Sequence, residues 1–168
     1  MTETALLRPG DQFPAINVAK VGDGTLRLPD DLADHFGVIL FYRGSWCPYC
    51  NAQLSAFQLA LGELTGNGAM IAALSVDDEA TSRDLVAKHG LRYPVGHSAR
   101  ASSVAAVTGT FVNDDPEFLQ STGFVLDPVG RVVVSVYSSG AIGRLVPGEV
   151  LGLIRYLREH SKASSSSH

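Results

Sequence analysis

VILFYRGSWCPYCNAQLSAF, residues 38–57, holds both cysteines of the chain, Cys47 and Cys50, and the hydrophobic pattern changes on either side of them. Residues 38–42 are apolar without a break and rich in branched and aromatic side chains. A short run of that kind suits a strand buried on both faces, as in the middle of an α/β sheet. After Cys47 the period lengthens: Leu54, Phe57, Leu61 and Leu64 recur at three- and four-residue spacing, one apolar stripe on a helix that TGNG at 65–68 brings to an end. Gly44 and Ser45 make the bend between the two patterns. Pro48 stands just inside the helix start, where its missing N–H costs little. The expected local structure is strand, tight turn, helix, with Cys47 at or beside the N-cap.

That placement gives the two thiols different tasks. At a helix N-terminus the free backbone N–H groups and the positive end of the dipole favour thiolate, the form that attacks disulfides and peroxides. Cys50 lies about one turn further on, within reach of Cys47 and expected to be more buried. Cys47 is therefore assigned the attack and Cys50 the resolution of the adduct. Arg43 ends the strand. It either lowers the Cys47 pKa and steadies charge developing on a peroxide oxygen, or is a solvated strand-end cation. Trp46 either covers the dithiol, docks a redox partner, or simply packs. Other uses of the cysteine pair fit less well. A structural disulfide across so short a loop gains little entropy. Half a zinc site would need a second ligand pair, and His35, His89, His97 and His160 show no ligand spacing. Two inert thiols would have no need of Pro48.

Working outward, RPGDQFPAINV reads as a loop and then a strand near residues 15–19, and VGDGTLRLPD as a Gly-rich turn followed by a second strand through Leu26 and Leu28. DDLADHFG reads as a short helical turn stopped by Gly37. AMIAALSV is a second buried strand. Asp77 or Asp78 is expected to cap a helix over residues 79–89 that Gly90 stops. Residues 102–107 suggest a further short helix, GFVLD-PVGR-VVVSVY a hairpin, and Pro147 the start of a last helix with Val150, Leu153, Ile154 and Leu157 on one side. This alternation calls for an α/β fold, a central mixed sheet with helices on both faces and an N-terminal hairpin extension, the plan of a thioredoxin-like fold.

At 168 residues, 45% hydrophobic and 18% charged, the chain is expected to form one domain over residues 1–160, with 161–168 as a flexible polar tail. A domain of this length fills a core without disulfide staples. A net charge of −4 argues against a nucleic-acid footprint, no apolar run approaches a membrane span, and the first residues lack the pattern of a signal peptide. A cytoplasmic location is the expectation, where thiols stay reduced unless they are catalytic or redox-sensing.

RPGDQFPAINV, LFYRGSWCPYC, IAALSVDDEATSRDLVAKHGLRYPV and GFVLDPVGRVV together resemble the peroxiredoxin-like branch of the alkyl hydroperoxide reductase/thiol-specific antioxidant superfamily, from about Pro9 to about Val136. The resemblance implies a thioredoxin fold and a thiol-dependent peroxidase in which Cys47 is the peroxidatic cysteine. It implies hydrogen peroxide or organic hydroperoxides as substrate, a thioredoxin-like or small-thiol electron donor, and a homodimer as a common assembly. No metal or organic cofactor is implied. The family pattern P-x-x-x-T-x-x-C falls here on Leu40, Gly44 and Cys47. The arginine that the family places before the strand matching GFVLD would fall near Ser121 and Thr122, where there is none. Donors to the reacting oxygen must then come from elsewhere, and Arg43 is the nearest in sequence. The same cysteines would also serve a general oxidoreductase acting on protein disulfides, or a non-catalytic redox sensor. His97 and Arg100 are expected to be solvated, Asp77 and Asp78 to cap rather than to act as acid and base, and VNDDPEF to be a solvated acidic turn.

Overall fold

The computed structural model describes the backbone of residues 5–166 and the side chains of residues 5–161. Strand β3 (Phe36–Phe41) lies inside a seven-stranded sheet of order β2-β1-β5-β4-β3-β8-β9. It runs parallel to β4 (Ala69–Leu74), which runs parallel to β5 (Val95–His97). On its other edge β3 pairs antiparallel with β8 (Thr122–Leu126), which continues into β9 (Val132–Tyr137). The N-terminal hairpin of β1 (Ile16–Lys20) and β2 (Thr25–Leu28) closes the opposite edge through an antiparallel pairing of β1 with β5. The sheet is mixed, as expected.

The unbroken apolar run follows from covering both faces. Val38, Leu40 and Tyr42 point into a core that also takes Leu54 and Phe57 of α1 (Pro48–Leu59), Leu64 of α2 (Leu61–Gly66), Leu85 of α3 (Glu79–His89) and Ile154 of α5 (Pro147–Ser166). Ile39 and Phe41 point the other way, into a core shared with Phe13, Leu26, Phe124 and Val104 of α4 (Ala101–Thr108). Alternate residues of one strand thus belong to different cores, and no polar position is left along it. The fold is thioredoxin-like, with helices on both faces.

Several local expectations are revised. The stripe over Leu54, Phe57, Leu61 and Leu64 is carried by two helices, because the chain breaks at Ala60 (φ −90°, ψ 0°). Gly37 stops nothing: it is the second residue of β3. The preceding 3-10 turn covers Asp30–Leu32, and Asp34 takes the left-handed conformation at φ 68°. VNDDPEF is a hairpin, β6 (Val112–Asp114) and β7 (Glu117–Leu119), that buries Phe118. β5 is an additional strand, short enough that its sequence carries little periodicity. Asp78 caps α3 by accepting the Thr81 N–H at 2.8 Å, and Gly90 ends that helix in the left-handed region at φ 59°. The expected boundary of the polar tail at residue 161 falls within α5, and residues 167 and 168 lie outside the described residues.

Candidate active site

The dithiol sits where β3 gives way to α1. Cys47 is the N-cap of α1 with extended backbone (φ −89°, ψ 113°), and Pro48 occupies the first turn. The bend is closed by the Cys47 N–H donating to the Gly44 carbonyl at 3.1 Å. The Ser45 N–H donates to Asp77 Oδ2 at 2.8 Å, and Asn51 Nδ2 donates to the Ser45 carbonyl at 2.9 Å. Asp77 therefore ties the turn to the end of β4, while its neighbour Asp78 supplies the helix cap. Burial raises the Asp77 pKa, and the Ser45 N–H partly offsets this.

Gly44 has its own reason. A Cβ added there would lie 2.2 Å from Trp46 Nε1 and 2.8 Å from Cδ1, so the indole folded back over the turn occupies the space of any side chain at position 44. Trp46 is about half exposed and meets Phe118 of β7 edge-on at 4.9 Å. The Arg43 guanidinium lies against both rings, 4.9 Å from the Trp46 ring centre and 5.0 Å from that of Phe118. Arg43 is not a free solvated cation. Its Nε donates to Gln120 Oε1 at 3.1 Å and its Nη1 to Cys47 Sγ at 3.8 Å.

A second arginine, missed in the sequence, converges on the same sulfurs. Arg144 lies in the loop between β9 and α5, and its Nη2 is 3.1 Å from Cys50 Sγ and 3.8 Å from Cys47 Sγ. Nothing local in SSGAIGRLVPG marks it as a site residue; the only cue is a lone cation in a Gly-rich loop beside an apolar pair.

Both cysteines are free thiols without solvent-exposed surface, and Cys50 is the more deeply packed of the two, as expected. Their ionisation differs as well. Burial alone would raise the Cys47 pKa, but it is outweighed by the Cys50 thiol, the Cys50 N–H at 3.3 Å, the Arg43 side chain and the charge on Arg144, and the net shift is downward. At Cys50 burial wins: its thiol donates to Cys47, and the Arg43 N–H at 3.3 Å and the charge on Arg144 only partly compensate, so its pKa is raised. The two thiols are thus pushed in opposite directions, Cys47 towards its anion and Cys50 towards its protonated form. Burial pushes the Tyr42 phenol up to about 12, which keeps it neutral beside the pair at working pH.

The remaining candidates fall away from the dithiol. His97 is buried in β5 rather than solvated, with its Nδ1 2.8 Å from Ser98 Oγ; Arg100 is exposed at the start of α4. A groove of about 330 Å³ opens beside Arg144, lined by Tyr49, Ala52 and Ala56 of α1 and by Ile142 and Val146 of the loop. Two buried polar atoms on its lining residues, Gln53 Oε1 and Arg144 Nε, have no hydrogen-bond partner.

The AhpC/TSA family model matches residues 9–135. A peroxiredoxin of Treponema denticola is 25% identical over 157 residues, which cover 91% of this chain and 74% of that protein. Among solved structures, AhpC of Mycobacterium tuberculosis superimposes with a TM-score of 0.75 at 25% identity, over 92% of this chain and 94% of its own. Peroxidoxin BcpB of the same organism gives 0.77 at 20% identity, over 89% and 97%, a likeness of fold.

Proposed function

The chain belongs to the AhpC/TSA family, and from that premise we propose that it is a thiol-dependent peroxidase working through Cys47 and Cys50. The Cys47 thiolate attacks one oxygen of a hydroperoxide. The O–O bond breaks, the attacked oxygen stays on sulfur and passes its proton to the departing oxygen, which leaves as water or an alcohol, and the sulfenate takes a solvent proton to become the sulfenic acid. Arg43 is the group placed to hold the peroxide oxygens as charge develops, because its position is fixed by two rings and Gln120 while Nη1 still reaches the sulfur. It takes up part of the task of the missing threonine and of the arginine absent from residues 121–122. Pro48 and Gly44 shape the turn that presents Cys47, and Trp46 packs on Arg43 rather than on the sulfurs.

Cys50 then displaces the sulfenic oxygen to form an intramolecular disulfide. A thioredoxin-like protein or a small thiol returns the pair to the reduced state. The groove beside Arg144 offers room for the hydrocarbon part of an organic hydroperoxide. Because both sulfurs are covered in the reduced form, a covering side chain must shift to admit peroxide. The observation that carries this reading is two neighbouring sulfurs at the N-terminus of α1, Cys47 Sγ accepting the Cys50 N–H at 3.3 Å, with Arg43 directed at one sulfur and Arg144 at the other. A single domain over residues 1–160 suffices for it, either as a monomer or as a homodimer.

The test is turnover. With thioredoxin and its reductase, or dithiothreitol, in excess, the protein is expected to consume hydrogen peroxide continuously, and Cys47→Ser to consume none above background. One stoichiometric oxidation without turnover would indicate a sensor instead.

A further inference from the structure

Arg144 and Arg43 approach the dithiol from different parts of the chain, and they do not make equivalent contacts. Arg43 directs its side chain at Cys47 and gives Cys50 only a backbone N–H. Arg144 does the reverse: its Nη2 is 3.1 Å from Cys50 Sγ and 3.8 Å from Cys47 Sγ. We propose that Arg144 is a catalytic residue of the second half of the cycle, stabilising Cys50 as the nucleophile that closes the disulfide. The proposal rests on the peroxidase reading above.

The loop that carries Arg144 is fixed at one point. Leu145 is buried and lies against Gly123 of β8, where an added Cβ would sit 2.6 Å from Leu145 Cδ1. Gln53 Nε2 donates to the Leu145 carbonyl at 3.0 Å. Gln53 lies one turn beyond Cys50 on α1, so the backbone next to Arg144 is tied to the helix that carries the sulfur. Arg144 Nη1 donates to the Ala141 carbonyl, and the guanidinium lies 5.9 Å from the Tyr49 ring centre. Leu145 and Gln53 are thus positioning residues for a cation aimed at Cys50.

The chemistry requires such a cation at that stage. In the reduced pair the Cys50 thiol donates to Cys47, and burial favours its protonated form. Once Cys47 is a neutral sulfenic acid, that acceptor is gone and Cys50 must lose its proton in a buried setting. Its sulfur then forms the S–S bond while the Cys47 S–O bond breaks. Hydroxide leaves and takes up the proton from Cys50 as water; Cys50 is oxidised and the sulfenic sulfur is reduced. A guanidinium already at 3.1 Å stabilises the Cys50 anion through this step.

The experiment mixes the reduced protein with one equivalent of hydrogen peroxide, quenches it over time into a sulfenic-acid trap and a thiol-alkylating reagent, and reads both steps by mass spectrometry. In Arg144→Met, disulfide closure is expected to slow roughly tenfold to a hundredfold, the effect of losing one hydrogen bond to a charged group. Cys47 sulfenic acid then accumulates, and the oxidation step loses less than closure does. Arg144→Lys, which restores the charge without the fork, recovers part of the closure rate. Arg43→Met shows the opposite pattern, with slow oxidation and little accumulation. The proposal is overturned if Arg144→Met closes within twofold of the native rate, if its oxidation slows as much as its closure, or if Arg144→Lys recovers nothing. Failure of the peroxidase reading is distinguishable, since the native protein itself would then leave the peroxide unreacted, and the role of Arg144 would fall with it.

Discussion

Replacing Arg43 by Met tests how the thiolate is held. Met keeps an unbranched apolar stem against Trp46 and Phe118 and removes the charge, so packing is disturbed less than by Ala. The lost contact is one charge-assisted hydrogen bond from Nη1 to Cys47 Sγ, long at 3.8 Å. A hydrogen bond to a charged group contributes about 1.5–3 kcal/mol, and this length puts it near the lower end, which corresponds to about one pKa unit. The sign is fixed: removing a group that favours the anion raises the Cys47 pKa, so less thiolate is present below the native midpoint. The assay is the ultraviolet absorbance of the thiolate against pH in a Cys50→Ser background, where Cys47 is the one remaining thiol. The midpoint should rise by about one unit, and iodoacetamide alkylation should slow about tenfold below both midpoints and converge with the native rate above them. Arg43→Lys should fall between the two, because an ammonium cannot reach Gln120 and Cys47 at once as the guanidinium does. A midpoint that stays in place or falls would show that Arg43 does not hold the thiolate.

Gly44→Thr restores the family's threonine but puts its Cβ into the indole; the Trp46 ring should be expelled, seen as a red-shifted fluorescence of the single tryptophan, and peroxide reduction should slow because Arg43 loses one of its two rings. An unshifted spectrum would mean that the turn, not the ring, gives way. Ala56→Leu partly fills the groove beside Arg144, so KM for cumene hydroperoxide should rise severalfold with hydrogen peroxide kinetics unchanged; equal effects on both would remove the groove from substrate binding. Phe57→Ala empties a fully buried site under the helix that carries the dithiol and should cost about 3–5 kcal/mol in urea unfolding. A loss under 1 kcal/mol, on the order of a surface substitution, would contradict that packing.

What could be read in the sequence was local. The unbroken run at 38–42, the cap at Cys47 with Pro48, the Asp78 cap and Gly90 stop, and the Pro/Gly turn between β8 and β9 each act within a few residues, and each appears in the fold. The features that were missed depend on distant partners. β5 has three residues and is a strand because β1 and β4 lie on either side of it. The β6–β7 hairpin was hidden by its acidic turn, although Phe118 and Leu119 beyond Pro116 were an available signal. His97 belongs to β5, and its burial depends on the neighbours of that strand. Arg144 lies 94 positions from Cys50 and reaches it only because Leu145 lodges against Gly123 and Gln53 holds its carbonyl. The missing arginine near residues 121–122 could be read directly, but its replacement could not.

The most direct test of the two-cysteine cycle is thiol mapping by mass spectrometry after one equivalent of hydrogen peroxide, on the native protein and on Cys50→Ser. The expected result is a Cys47–Cys50 disulfide in the first and a sulfenic acid confined to Cys47 in the second. Oxidation that begins at Cys50, or thiols in the native protein that react no faster than free cysteine, would contradict it.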